Sequence, residues 1–86
     1  MQTYKQAIKR ELKDLKTSIM DATTKDALHS AVERADHRLE ELETEFEGDV
    51  LYAVQKARKR IQEFWSGDTT RFEICRWIQT IVVSIY

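Results

Sequence analysis

The stretch LHSAVERADHRLEELETEF, residues 28–46, has the most regular pattern in the chain. Its apolar residues alternate spacings of four and three: Leu28, Val32, Ala35, Leu39, Leu42 and Phe46. This heptad seam predicts a helix that packs against other helices along one stripe. Thr23 followed by Asp26 has the form of a capping box, which predicts that the helix begins near residue 24.

Two other segments carry the same kind of stripe. Before the seam the stripe residues are Tyr4, Ile8, Leu12, Leu15 and Ile19; after it they are Val50, Val54, Ala57, Ile61 and Phe64. The chain has no proline and only two glycines, so it lacks the turn residues of an all-β domain. We predict an all-α fold, a small antiparallel bundle forming a single helical domain over residues 1–86. Its four helices are expected at residues 3–21, 24–47, 50–65 and 69–85.

The sequence leaves one structural alternative open at Gly48. This glycine could end the second helix and start a hairpin, or it could lie within one long helix from about Thr24 to Trp65. Residues 23–49 carry three basic and nine acidic side chains, whereas residues 50–67 carry four basic and one acidic. A hairpin would bring the basic residues Lys56, Lys59 and Arg60 opposite the acidic residues Asp36, Glu40 and Glu41. Charge complementarity therefore favours the hairpin.

The C-terminal segment FEICRWIQTIVVSIY, residues 72–86, is apolar at ten of its fifteen positions. Three consecutive apolar residues at 81–83 break the alternation expected of a strand. The polar residues Glu73, Arg76, Thr80 and Ser84 recur at spacings of three and four, which is typical of a helix with one thin polar stripe. We expect such a helix to need covering on nearly all sides, and a domain of 86 residues to cover only part of it.

This apolar helix predicts association, either of the chain with itself as a homo-oligomer or with another protein. The tryptophans either pack in the core or anchor the contact, since large aromatic side chains dominate the energetics of protein interfaces. The predicted partner-binding residues are Trp65, Phe72, Trp77, Ile78, Ile81, Val82, Ile85 and Tyr86. The polar stripe is nearly neutral, which makes docking on a membrane surface the weaker interpretation.

A competing interpretation comes from the basic cluster KARKR, residues 56–60. Its cations, Lys56, Arg58, Lys59 and Arg60, could bind nucleic-acid phosphates. The alternative is a solvated or salt-bridged helix face, which the net charge of −1 favours.

No pattern of residues predicts an enzyme, a metal site, a cofactor or a small-molecule substrate. His29, Glu33 and Asp36 share a flank of the second helix, but they do not match the helical signature of zinc hydrolases. The lone Cys75 cannot form an internal disulfide and is expected to be a small buried hydrophobe, as in a reducing, cytoplasmic setting. The apolar C-terminal segment is shorter than the ~20 residues of a membrane span.

The motif ADHRLEEL, Ala35 to Leu42, resembles the helix of the Hha/YmoA family, small all-helical modulators that bind the dimerisation domain of a nucleoid protein. The resemblance implies a cytoplasmic helical regulator acting through a protein partner, with Asp36 and Arg38 among the carried-over positions.

Taken together, the sequence predicts a non-enzymatic protein-interaction module that self-associates through its C-terminal helix. The small size and the lack of a catalytic motif favour a regulator or inhibitor of the kind that phages and plasmids encode. The alternative is a nucleic-acid-associated regulator, acting through the basic cluster or as an Hha-like modulator.

Overall fold

Four α-helices make up the secondary structure of residues 4–85, the part of the chain that a computed structural model describes, and no strand occurs among them. The helices are α1 (Tyr4–Asp21), α2 (Lys25–Leu42), α3 (Gly48–Trp65) and α4 (Arg71–Ser84). The all-α prediction is confirmed. The largest error in the predicted bounds is at the end of α2, which stops at Leu42 rather than near residue 47.

Threonine side chains cap α2 and α4. Thr24 Oγ1 accepts a hydrogen bond from the backbone N–H of Ala27 at 3.0 Å, and Thr70 Oγ1 accepts one from Glu73 at 3.4 Å. Both hydroxyls satisfy an N–H that the first turn of a helix leaves without a partner. The prediction that Thr23 begins the capping box was wrong by one residue, since Thr24 holds the cap.

The chain breaks between α2 and α3 at Gly48. This residue has φ +66°, a backbone conformation that side chains other than glycine rarely adopt. It is the first residue of α3, and five residues separate it from the end of α2. Because α2 and α3 also pack against each other, the continuous-helix alternative is wrong and the chain folds back here.

The helices form a closed ring in which each one contacts two others. The contacting pairs are α1–α2, α2–α3, α3–α4 and α4–α1, while the diagonal pairs have no Cα atoms within 8 Å in residues 4–85. The predicted stripes of the first three helices face the centre of this ring. Most of their members are buried: Ile8, Leu12, Leu15, Ile19, Val32, Ala35, Leu39, Leu42, Val54, Ala57 and Ile61.

α4 completes the core because it packs against both α1 and α3. It contributes Ile74, Cys75, Ile78, Ile81 and Val82 to the buried cluster, and Ile85 follows them just after the helix. Arg71 Nη1 donates a hydrogen bond of 2.8 Å to the carbonyl of Ala22, which fixes the start of α4 to the turn between α1 and α2. The residues that face outward from α4 are therefore set by its two helical neighbours.

Candidate functional site

Four of the predicted partner-binding residues lie inside the chain. Ile78, Ile81, Val82 and Ile85 are each at most 6% exposed. We expected a domain of this size to leave these side chains uncovered, and that expectation was wrong. The stripes of α1 and α3 together cover both flanks of α4. These residues stabilise the folded chain and offer no surface to a partner.

The outward side of α4 nevertheless carries two large apolar side chains. Phe72 is 60% exposed and Val83 is 67% exposed, and both belong to a row with Arg76 and Thr80 at spacings of four, four and three. We call Phe72, Arg76, Thr80 and Val83 the α4 stripe. Tyr86, also predicted to bind a partner, lies outside the described residues.

Hydroxyl groups on this side of α4 are satisfied by the helix itself. Thr80 Oγ1 donates a hydrogen bond to the carbonyl of Arg76 at 3.1 Å, and Ser84 Oγ donates one to the carbonyl of Thr80 at 2.9 Å. Such bonds to the preceding turn satisfy the hydroxyl donor within the helix. The α4 stripe is therefore less polar than its sequence indicates.

Trp65 lies at the end of α3 in a small aromatic cluster. Its ring meets the imidazole of His29 edge-on, with 4.8 Å between the ring centroids. The ring of Phe64 is also near, with its centroid 5.2 Å from that of Trp65. Trp65 is still 43% exposed, so part of its ring lies at the surface. The same contacts place His29 against aromatic rings, and no group of three metal-ligating side chains occurs in the described part of the chain.

The basic cluster divides between two sides of α3. Arg58 faces α2, and its guanidinium pairs with Asp36 at 3.0 Å and Glu40 at 3.9 Å on that helix and with Glu43 at 3.1 Å just after its end. Partial burial lowers the pKa of Arg58, but hydrogen bonds from its guanidinium to Asp36 and Glu43 outweigh this effect and the pKa is raised. The acidic helix α2 and the basic helix α3 do pack against each other. The residue of α3 that forms the ion pairs, however, is Arg58 and not one of the three that were expected.

The predicted pairing partners Lys56, Lys59 and Arg60 lie on the other side of α3, in a groove between α3 and α4. The Nζ of Lys56 is 5.2 Å from the ring centre of Tyr52, and the guanidinium carbon of Arg60 is 5.5 Å from that of Trp77. We call this surface the α3–α4 groove; its lining residues are Tyr52, Lys56, Lys59, Arg60, Glu63 and Trp77. Sequence reasoning missed Tyr52, although its position four residues before Lys56 is a usable signal for a contact on one helix face.

Cys75 has the environment of a core residue. It is 6% exposed, and its Sγ lies 3.7 Å from the carbonyl oxygen of Lys16. Burial raises the pKa of the thiol, and the positive charges of Lys16 and Arg71 offset this only in part. A raised pKa disfavours the thiolate, which is the nucleophilic form.

The two positions carried over from the Hha/YmoA resemblance both take part in ion pairs within the chain. Asp36 accepts from Arg58, and Arg38 pairs with Glu41 at 2.8 Å and with Glu11 at 2.9 Å. Arg38 thus joins α2 to α1, as Asp36 joins α2 to α3.

Comparison with known proteins adds no family to these observations. No family model, no curated protein and no solved structure matches the chain. Within residues 4–85, no helix combines the length and apolar character needed to cross a membrane.

Proposed function

We propose that the chain is a non-enzymatic protein-interaction module, of the size of a small regulator or inhibitor, that associates with a second copy of itself through the α4 stripe. The observation that supports this most directly is the pair Phe72 and Val83, whose apolar side chains are more than half exposed on one helix face. Exposed apolar groups that share a face are typical of association surfaces. We also infer that neighbouring helices of the bundle run antiparallel, because short turns join them.

The order of residues along the α4 stripe is self-complementary. If two α4 helices pack antiparallel about a two-fold axis between Trp77 and Ile78, Phe72 of one copy meets Val83 of the other. Arg76 then lies within one residue of the position opposite Thr80, so the charged side chain does not face the apolar ends. Contacts of this kind, in which the same patch is used by both copies, are the commonest in homodimers.

The expected interface is small. Phe72 and Val83 are eleven residues apart, which is about 16 Å along a helix. A contact of this length buries less than the ~1,200 Å² typical of stable complexes, so we expect a weak and reversible dimer. The two Arg76 side chains lie close to the two-fold axis, one on each side of it, and repel each other, so added salt should not weaken the dimer.

Sedimentation equilibrium of the purified chain, over a concentration series reaching the millimolar range, tests this proposal. Val83→Lys should weaken the dimer by about 30-fold, because each of two valines loses about 1 kcal/mol of burial. Arg76→Ala should strengthen it, an effect that misfolding does not produce.

The matched control is Ser18→Lys, which places a lysine near the end of α1 at an exposed position. This variant should dimerise like the parent chain. A parent chain that stays monomeric throughout the series, or a Ser18→Lys variant as weak as Val83→Lys, would contradict the proposal.

A further inference from the structure

The α3–α4 groove combines positive charge with aromatic rings. Lys56 and Lys59 form no ion pair with any of residues 4–85, whereas Arg60 pairs with Glu63 at 2.9 Å. Glu63 Oε2 also accepts a hydrogen bond from Thr69 at 3.1 Å, so its carboxylate is already engaged by two donors. The groove therefore has three cations and one occupied carboxylate, a net charge of +2.

The two rings of the groove differ in their exposure. Tyr52 is 60% exposed, while Trp77 is half-buried and packs against the core. Each ring has a cation near it, Lys56 by Tyr52 and Arg60 by Trp77. A planar group that enters the groove can therefore contact a ring face while its negative charge meets a cation.

We propose that the α3–α4 groove binds single-stranded nucleic acid, with its cations on backbone phosphates and Tyr52 stacked against a base. Positive charge along a groove together with exposed aromatic rings is the combination by which proteins hold single strands without reading sequence. Tyr52 and Arg60 are eight residues apart, about 12 Å along the helix, which is room for a few nucleotides.

Two other polyanions fit these residues less well. Duplex DNA offers phosphates but keeps its bases stacked inside, so it leaves Tyr52 without a partner. An acidic peptide supplies carboxylates for the lysines but no flat group for the rings. Arg58 is not expected to contact any of these ligands, because its guanidinium is paired with the carboxylates of Asp36 and Glu43.

Binding is measured by fluorescence anisotropy with labelled oligothymidylate, in a salt titration. Three phosphate contacts predict a slope of about −2 for log K against log salt concentration, at roughly −0.7 per contact on a single strand. The Lys56→Ala, Lys59→Ala double variant should reduce the slope to about −0.7 and weaken binding more than tenfold at low salt. A Tyr52→Ala variant should weaken binding while leaving the slope unchanged.

The matched control is Lys5→Ala, Lys13→Ala, which removes the same charge from exposed positions on α1. It should bind like the parent chain. An equal loss in this control would mean diffuse charge attraction and would overturn the proposal. Tighter binding of a duplex of the same length, or of labelled polyglutamate, would also overturn it.

Tryptophan fluorescence gives a second readout of the site. Trp65 and Trp77 are the two tryptophans, so a Trp65→Phe background leaves Trp77 as the sole reporter. Oligothymidylate should quench Trp77 in this background, and unchanged emission at saturation would contradict binding in the groove. The Val83→Lys variant should still bind the oligonucleotide, which separates this site from the self-association surface.

Discussion

Replacing Arg58 by alanine should destabilise the protein far more than replacing its neighbour Lys59. The Arg58 guanidinium joins α3 to α2 through Asp36 and Glu43, at 3.0 and 3.1 Å. Lys59 has the same charge but is exposed and makes no ion pair with residues 4–85. The pair of variants therefore separates the effect of the helix-to-helix contact from the effect of net charge.

The magnitude follows from the burial of the three side chains. Arg58 is 23% exposed, Asp36 29% and Glu43 28%, so solvent screens the contacts only in part. Exposed ion pairs contribute about 0.2–1 kcal/mol and hydrogen bonds to charged groups about 1.5–3 kcal/mol, which places each of these contacts near 1 kcal/mol. Loss of both should lower the free energy of unfolding by about 2 kcal/mol, or the melting temperature by roughly 10 °C.

Urea denaturation followed by circular dichroism measures these differences. A double-mutant cycle with Asp36→Ala should give a coupling energy of about 1 kcal/mol between residues 58 and 36, while Lys59→Ala should stay within about 0.5 kcal/mol of the parent. A coupling energy of zero, or equal losses for Arg58→Ala and Lys59→Ala, would refute the assignment of Arg58 as the link between α2 and α3.

Two further predictions concern the core side of α4. Ile78→Ala should lower the free energy of unfolding by about 2–5 kcal/mol, because Ile78 is fully buried in a single chain. The loss should be the same in dilute and concentrated protein, and a loss that appeared only in concentrated samples would place Ile78 in an interface instead. For Cys75, the raised pKa means that the unfolded chain loses its thiol proton first, so stability should fall as pH rises above about 8.5. Unfolding curves of the parent chain and of Cys75→Ala, compared between pH 7 and pH 10, measure this: the fall should be smaller in Cys75→Ala, and identical pH dependence would contradict it.

The helical fold could be predicted because each stripe repeats with the period of a helix. Leu12, Leu39 and Ile61 lie in three stripes that were identified from spacing alone, and all three are fully buried. The cap at Thr24 was missed by one residue because Thr23 and Thr24 are chemically alike and local sequence does not distinguish them. The end of α2 was overestimated because Phe46 continues the seam pattern although it lies in the turn, where it packs against the core and near Tyr4.

The candidate surfaces were less predictable, because they depend on how helices are placed around one another. Ile78 and Val83 are both apolar residues of α4, but only the positions of α1 and α3 decide which one is buried. Similarly, Arg58 and Lys59 differ by a rotation of about 100° around the helix axis, which turns one toward α2 and leaves the other in solvent. The charge count predicted that α2 and α3 attract each other, but it could not identify the residue that joins them.

The ring arrangement of the helices bears on the order of events in folding. Short connections of three to five residues join α1 to α2, α2 to α3 and α3 to α4. These three pairs can form early, since segments that are near in sequence meet quickly. The contact of α1 with α4 must wait for distant segments: Lys16 reaches Gln79 across 63 positions of sequence, with an Nζ to Oε1 distance of 2.8 Å. Closing a loop of that length costs about 4 kcal/mol of chain entropy. We therefore expect the contact between α1 and α4 to be the last of the four helix-to-helix contacts to form.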